Sequence, residues 1–189
     1  MFKTLLIDFS GVVVVDGFWH WLHEKVPNLD FFSSKILELA RQWDKGEITC
    51  SDGMKQVSEM INIPFKTMWS EMKTRFFLNQ ELVDYLKTLK SEYKLVIFSN
   101  FPRDLFNEIL NSNKLQYLFD SYIISSDLKK IKPNPDIYLE VLKILKLKNN
   151  EVIFIDDKQE NIDTAIQLGI TSIKYTNLPE LKISLCKLL

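Results

Sequence analysis

Cysteine and histidine are scarce in this chain of 189 residues, which contains two of each. Cys50 and Cys186 lie far apart, and no CxxC pair or cluster of cysteine and histidine has the spacing of a metal site. This scarcity excludes a scaffold held together by several disulfides and a zinc site built on cysteine pairs. We therefore expect two free thiols in a reducing cytoplasm.

An excess of charge of either sign is also lacking. The chain has 24 lysines and arginines against 25 aspartates and glutamates, which gives a formal net charge of −1. Proteins that bind nucleic acid or an anionic membrane surface usually carry a clear basic excess or a basic cluster. We therefore expect neither nucleic acid nor a membrane as a partner.

Long apolar runs are missing as well. No stretch approaches the roughly 18 consecutive apolar residues of a membrane-spanning helix. The first apolar run, KTLLIDFSGVVVV at residues 3–15, is interrupted by Asp8, and no small-residue cleavage site of a signal peptide follows it. We expect a soluble, cytoplasmic protein.

The chain does have short apolar runs, within a composition that is 46% hydrophobic and sufficient for a packed core. Each run is rich in isoleucine, valine and phenylalanine and is followed by polar residues. Continuous runs of this kind are typical of parallel strands that are covered on both faces. The predicted strands are residues 4–10, 94–100, 121–127, 151–157 and, more weakly, 171–176.

Helical patterns lie between the later strands. Asn79 is a suitable N-cap, Pro135 suits a first helical turn, and Gly169 is a candidate C-cap. The predicted helices cover residues 81–90, 104–110, 135–147 and 161–169. This alternation of strand and helix predicts an α/β fold with a Rossmann-like parallel sheet built from βαβ units.

The segment at residues 16–78 is different, because it has no comparable strand run and its apolar residues fall at helical spacing. All four tryptophans and both histidines lie in it. We expect a small helical subdomain, a cap, inserted into a core formed by residues 1–15 and 79–189.

Polar side chains follow the predicted strands at the points where those strands end. They are Asp8, Ser99, Asn100, Asp156 and Asp157, with Lys132 shortly after the third strand. Ligands of open parallel sheets bind at the carboxyl ends of the strands, so we expect these side chains to converge. Crowded carboxylates need a counter-charge, and Mg²⁺ prefers oxygen ligands. The pattern therefore predicts a Mg²⁺ site beside a lysine.

These segments carry a resemblance to a known family. The quoted motifs are DFSGV (8–12), SN (99–100), KPNPDIY (132–138) and DDKQEN (156–161). Taken in this order they resemble the four motifs of the haloacid dehalogenase-like hydrolase superfamily, and the helical insertion resembles its cap. WDKGEIT (43–49) is similar to the caps of its epoxide-hydrolase-N-domain-like phosphatases.

The resemblance implies a role for each matched residue. Asp8 would be the nucleophile that forms an aspartyl-phosphate, and Lys132 would neutralise the phosphate and orient Asp8. Ser99 and Asn100 would hold a phosphate oxygen. Mg²⁺ would be held by Asp8, the Ser10 carbonyl, Asp156 and Asp157, with Asn161 supporting that loop. The partner would be a small phosphorylated molecule.

Ser10 departs from the family pattern. Most phosphatases of the superfamily have a second aspartate at this position, which acts as general acid and base. Serine keeps the backbone carbonyl, but its hydroxyl is too weak an acid for this proton transfer. Because such help typically contributes about 10²–10⁴-fold, we expect poor leaving groups to react slowly. His20 or His23 in the cap is the next candidate for the acid.

Three functions are compatible with these residues. The first is a Mg²⁺-dependent phosphatase for a small phosphometabolite. The second is a binding or regulatory protein that has lost useful turnover at Ser10. The third is a 2-haloacid dehalogenase-like enzyme. We rank it last, because Asp156 and Asp157 favour a metal site and no arginine precedes Arg41.

Overall fold

Parallel strands form a single sheet at the centre of the computed structural model, which describes residues 2–189. Its order is β3-β2-β1-β4-β5. The strands are β1 (Thr4–Ile7), β2 (Lys94–Ser99), β3 (Ser121–Ile124), β4 (Val152–Asp156) and β5 (Thr171–Lys174). Ile7 at the end of β1 lies opposite Ile97 of β2 and Ile155 of β4, so the three central strands end within two residues of one another. The predicted α/β fold with a parallel sheet is confirmed.

Helices surround the sheet. They are α1 (Gly17–Lys25), α2 (Leu29–Asp44), α3 (Cys50–Met60), α4 (Phe65–Lys73), α5 (Gln80–Leu89), α6 (Arg103–Ser112), α7 (Ser125–Leu128), α8 (Pro135–Leu145), α9 (Gln159–Gln167) and α10 (Leu178–Leu188), with 3₁₀ turns at Leu115–Tyr117 and Asn149–Glu151. Within residues 2–189, none of these helices combines the length and the apolar character needed to cross a membrane.

Alternate residues of each strand point to opposite faces of the sheet, and both faces are covered. Leu5 and Ile7 belong to an apolar cluster with the helices on one face, including those of residues 17–73. Leu6, between them, belongs to a second cluster built around α8 and α9 on the other face. Burial on both faces explains why the strands read as continuous apolar runs.

The predicted helices of the core are present, with ends within about two residues of their predicted positions. Asn79 caps α5 by accepting a hydrogen bond from the Leu82 N–H, at 3.3 Å. Pro135 stands in the first turn of α8, and Gly169 follows α9 with a φ of +74°, the left-handed conformation of a residue that ends a helix.

The strand prediction is wrong for residues 125–127, which form the start of the short helix α7. β3 is an edge strand that pairs only with β2, and its last residue, Ile124, lies opposite the last residue of β2, Ser99. Because β2 ends at Ser99, residues 125–127 have no neighbouring strand with which to pair. The Ser125 and Ser126 hydroxyls instead accept hydrogen bonds from the N–H groups of Phe101 and Arg103, both at 3.0 Å.

The first strand is shorter than predicted, because it ends at Ile7 and the chain then turns tightly. The Phe9 carbonyl accepts hydrogen bonds from the N–H groups of Val13 and Val14, both at 2.9 Å. Asp8 therefore lies one residue beyond the strand, at the edge of the sheet, rather than inside it.

The segment at residues 16–78 contains α1 to α4 and no strand. The two chain segments that lead into and out of it run side by side: Val15 N–H donates to the Phe77 carbonyl and Asn79 N–H donates to the Val13 carbonyl, both at 2.9 Å. Buried residues of this segment, such as Trp21 and Met54, join the apolar cluster that also contains Leu5 of the sheet. Its separation as a cap domain remains a prediction.

Candidate active site

Three carboxylates meet at the carboxyl edge of the sheet. Asp8 follows β1, Asp156 ends β4 and Asp157 follows it, and one oxygen from each lies within 4.8 Å of the others. Strands β1 and β4 are neighbours in register, which is why residues so distant in sequence come together. So close a group of acids concentrates negative charge in a buried place.

Asp8 is held in one orientation by contacts to a single oxygen. Its Oδ1 accepts a hydrogen bond from the Phe9 N–H at 2.8 Å and lies 3.1 Å from the Lys132 ammonium. Burial is the main cause that raises the pKa of Asp8 to about 7; Asp156 adds to the rise and Lys132 opposes it. The second oxygen, Oδ2, is left for other chemistry.

Lys132 is the buried counter-charge of this group. Its side chain is 1% exposed, and its ammonium lies 2.6 Å from Asp156 and donates to the Phe98 carbonyl at 2.9 Å. Burial by itself lowers the pKa of this ammonium, but Asp8 and Asp156 outweigh that effect and raise it. Lys132 is therefore a fixed positive charge at the site, not the solvated residue that a run of lysines usually indicates.

Asp156 and Asp157 are adjacent in sequence but differ in their surroundings. Besides Lys132, Asp156 accepts hydrogen bonds from the Asn161 amide at 3.0 Å and from the Lys158 N–H at 2.8 Å. Asp157 is partly exposed, and its buried Oδ1 has no partner among residues 2–189. Both oxygens of Asp156 are thus bonded to other groups of the protein, whereas the Asp157 Oδ1 is available to bind a ligand.

The turn after β1 fits closely against Asp157. Gly11 has a φ of +88°, and a Cβ placed on it would stand 2.5 Å from the Asp157 Oδ2. Only glycine provides both the left-handed backbone and the space that this carboxylate occupies.

The remaining predicted residues lie around this group. Ser99 is fully buried, and both its Oγ and that of Ser10 lack hydrogen-bond partners in residues 2–189. Asn100 uses its side chain on the backbone of Lys132, which it contacts twice at 2.8 Å. Its amide therefore positions Lys132, a role that the motif does not suggest.

A cavity of about 110 Å³ opens beside these residues, between the sheet edge and the helices of residues 17–60. Its charged lining residues are Asp8, Asp16, Asp44, Asp157, Lys132 and Lys158. Much of its opposite wall is apolar and includes Phe18, Trp19, Trp43, Met54, Phe76 and Phe101. The cavity lining thus combines four aspartates, two lysines and a group of aromatic side chains.

Sequence reasoning missed Asp16 and Asp44, which line this cavity. Asp44 lies inside the quoted WDKGEIT fragment, which was the one available signal. His20 and His23 are exposed and are not among the lining residues, so the structure does not support either histidine as the acid.

The residues present fit a divalent cation with oxygen ligands. Three acids face one fully buried lysine, and an Asp157 oxygen is buried without a partner. A hard cation such as Mg²⁺ would balance the excess negative charge and satisfy that oxygen. Among residues 2–189, Asp8, Asp156 and Asp157 form the only group of three or more His, Cys, Asp or Glu side chains that lie close enough together to hold an ion.

A parallel sheet of this order, with an acid after its first strand and an acid pair at the end of its fourth, is the arrangement of one class of hydrolase. Residues 5–175 match the family of haloacid dehalogenase-like hydrolases. The chain belongs to this family, and the resemblance predicted from the four motifs is confirmed.

Several relatives and solved structures are similar to the chain. It is 25% identical to a sesquiterpene phosphatase of Aspergillus oryzae over 93% of this chain and 91% of that protein. A shorter match, 43% identical over 60 residues, links 32% of this chain to 11% of bifunctional epoxide hydrolase 2 of Rattus norvegicus. A family enzyme of Bacteroides thetaiotaomicron, solved with magnesium and inorganic phosphate, shares the fold with a TM-score of 0.77, at 22% identity over 93% of this chain and 95% of that one.

Proposed function

We propose that the protein is a Mg²⁺-dependent phosphatase that hydrolyses a small phosphate monoester through an aspartyl-phosphate on Asp8. The observation that carries this proposal is the buried contact of 3.1 Å between Asp8 and Lys132, both of which line the cavity. A carboxylate and an ammonium held together at a strand end can attack a phosphorus atom and neutralise its oxygens. The similarity to the sesquiterpene phosphatase of Aspergillus oryzae supports the same chemistry.

Asp8 would attack phosphorus through Oδ2. Its Oδ1 is held by the Phe9 N–H and by Lys132, which keeps the attacking carboxylate in place beside the cavity that Asp8 lines. The phosphorus–oxygen bond to the leaving alcohol then breaks, and water later releases phosphate from Asp8. The Asp8 carboxylate is regenerated in that second step.

Two further groups would bind the phosphate. The Lys132 ammonium carries the positive charge, and the Ser99 hydroxyl, buried without a partner, can donate to a phosphate oxygen. The carboxylates of Asp8, Asp156 and Asp157 and the Ser10 carbonyl would hold Mg²⁺, and Asn161 fixes Asp156. When bound, Mg²⁺ supplies electrostatic stabilisation of the phosphate charge and orients the phosphate.

The wall opposite Asp8 favours a leaving group without a further negative charge. Residues 16–54 contribute Asp16, Asp44 and aromatic side chains to the cavity, and no lysine or arginine. A second phosphate or carboxylate on the substrate would face these acids. We therefore expect monophosphates of neutral or apolar alcohols to be better substrates than bisphosphates.

A phosphate-release assay over a panel of monophosphates and matching bisphosphates tests the proposal. We expect release in the presence of Mg²⁺, its loss on addition of a chelator, and preference for the monophosphates. Because Ser10 cannot transfer protons, a second candidate is a binding or regulatory protein. That function predicts phosphate binding without release on any member of the panel. Chloride release from a 2-haloacid would instead indicate the dehalogenase.

The two adjacent acids should respond differently to substitution. We expect Asp157→Ala to lower Mg²⁺ affinity by more than about 10-fold while the protein stays folded, because its free oxygen is available as a ligand. We expect Asp156→Ala to act first on stability, because it deprives Lys132 of its closest partner.

Calorimetric Mg²⁺ titration and urea unfolding of both variants measure the two effects separately. Asp163→Asn on α9 is a matched control outside the cavity, and it should change neither quantity. Undiminished Mg²⁺ binding by both alanine variants would rule out the proposed metal site.

A further inference from the structure

Asp44 is the last residue of α2, and it lines the same cavity as Asp8. It is partly buried, and its neighbours in the lining are Trp43 on its own helix and Asp16 at the start of α1. The proposed reaction needs a group near the leaving oxygen that can give and take a proton. Asp44 is in the right cavity for that task, although it lies 36 positions beyond Asp8 in the chain.

The backbone of Asp44 is fixed to the sheet side of the cavity. Its carbonyl accepts a hydrogen bond of 2.5 Å from the Ser125 hydroxyl, which itself accepts one of 3.0 Å from the Phe101 N–H. Two residues further on, the Gly46 carbonyl accepts a bond from the Lys129 ammonium. A Cβ on Gly46 would stand 2.4 Å from the Ser126 carbonyl, so the two segments are in close contact. The end of α2 is therefore fixed by direct bonds to the segments that follow β2 and β3.

The carboxylate of Asp44 has no structural task. Among residues 2–189 it forms no hydrogen bond and no ion pair, and the only such bond to the residue from outside its helix reaches its backbone. A negative charge in the last turn of a helix is unfavourable, because the helix dipole presents its negative end there. Groups placed at such a cost to stability are concentrated at functional sites.

The charges around Asp44 suit a group that changes its protonation near neutral pH. Burial raises the pKa of Asp44 to about 7, and Asp16 and Asp8 add to the rise, while Lys158 and Lys132 oppose it. A carboxyl group in this state is present in both the acid and the base form at the same pH, as a general acid–base catalyst requires.

Other side chains around the cavity are less suited to the task. Asp16 caps α1, since its Oδ1 accepts bonds from the Phe18 and Trp19 N–H groups at 3.2 and 3.3 Å. Burial raises the pKa of the Cys50 thiol far above neutral, so it would not exchange a proton. Ser10 has only a hydroxyl. Asp44 is the carboxyl group of this wall that is not otherwise engaged.

We propose that Asp44 is the general acid and base of the reaction, in place of the acid that position 10 lacks; this rests on the proposed phosphatase function. In the first step the Asp8 Oδ2 forms a bond to phosphorus, the bond to the leaving oxygen breaks with its electron pair, and that oxygen takes the proton of Asp44. In the second step the Asp44 carboxylate takes a proton from water as the water oxygen bonds to phosphorus. The bond from phosphorus to Asp8 then breaks. Asp8 is again a free carboxylate, and Asp44 is again protonated.

The test compares two leaving groups in the chain of 189 residues with Mg²⁺ present. An aryl phosphate, 4-nitrophenyl phosphate, leaves as a stabilised anion and barely needs a proton, whereas the alkoxide of glycerol 3-phosphate needs one. We expect Asp44→Asn to lower kcat/KM, which reports only the steps up to formation of the aspartyl-phosphate, by about 10²–10⁴-fold for glycerol 3-phosphate and by less than about 10-fold for the aryl phosphate. Glu47→Gln is the matched control in the same turn; it is exposed and outside the cavity, and it should leave both rates unchanged.

A second variant shows whether the loss is one of proton transfer. We expect Ser10→Asp, added to Asp44→Asn, to restore glycerol 3-phosphate turnover selectively, because it returns a carboxyl group to the same reaction. If Asp44→Asn lowers kcat/KM equally for both substrates, or for neither, the role of Asp44 alone is overturned. No phosphate release by the wild type from either substrate would overturn the phosphatase function as well.

Discussion

Replacing Asp8 by asparagine should reduce phosphate release by on the order of 10⁴-fold or more, since loss of the nucleophile removes the covalent step altogether. The amide has nearly the same shape and keeps an oxygen that can accept the Phe9 N–H bond of 2.8 Å. It cannot form the aspartyl-phosphate. Single-turnover assays with 4-nitrophenyl phosphate measure the change, and acid-quenched wild-type enzyme should retain phosphate on Asp8.

The same substitution should leave the fold intact. Burial and the nearby Asp156 carboxylate raise the pKa of Asp8, so its ionised form is disfavoured in the folded protein. A neutral amide removes that unfavourable charge, and we expect the metal-free variant to unfold at a urea concentration no lower than the wild type at about pH 8. Wild-type rates of phosphate release from a folded Asp8→Asn protein would show that another group attacks the substrate.

Replacing Lys132 by methionine should lower the free energy of unfolding by about 3–5 kcal/mol, the usual cost of removing one partner of a buried ion pair. The Lys132 side chain is 1% exposed, and its ammonium lies 2.6 Å from Asp156 and 3.1 Å from Asp8. Methionine fills much of the same space between Phe98 and Phe154 but leaves two buried carboxylates without their cation. Urea unfolding in the presence of a chelator measures the loss.

The loss should depend on pH in a defined direction. Lys132 lowers the pKa of Asp8, so its removal raises that pKa further above the value of an unfolded aspartate. Between these two values the folded state binds more protons than the unfolded state, and stability falls as pH rises. The variant should therefore be more destabilised at about pH 8 than at about pH 5.

Lys130→Met is the matched control two residues away. Lys130 pairs with Glu140 at 2.6 Å on the surface, with side chains 39% and 34% exposed, so its loss should cost less than about 1 kcal/mol. If the two methionine variants were equally stable, Lys132 would not be the buried counter-charge of the site.

The sheet and its helices could be predicted from the sequence because their signals are local. A strand covered on both faces needs an unbroken apolar run, and the caps at Asn79 and Gly169 mark helix ends through their own backbone chemistry. The strand prediction was wrong at residues 125–127, where the decisive fact is that the neighbouring strand ends at Ser99. The length of an edge strand depends on where its neighbouring strand ends, and the apolar run of the edge strand does not contain that information.

The convergence of the candidate site residues also followed from the sequence. Asp8, Asp156 and Asp157 were expected together because the carboxyl ends of parallel strands meet at one edge, and their oxygens do lie within 4.8 Å of one another. Their catalytic roles remain a proposal. The division of labour between Asp156, which is bonded on several sides, and Asp157, which has an unpartnered oxygen, appeared only in the structure.

The sequence by itself determined the α/β fold, the strand ends that carry acids, and the serine at position 10 where an acid was expected. Only the tertiary structure decided that Asn100 holds the Lys132 backbone and that Asp44 lines the same cavity as Asp8. Periodicity tells which face of its own element a residue occupies, but not which distant element packs against that face. The Ser125 hydroxyl, at the start of α7, donates to the Asp44 carbonyl and fixes the last turn of α2, and no local pattern contains that contact.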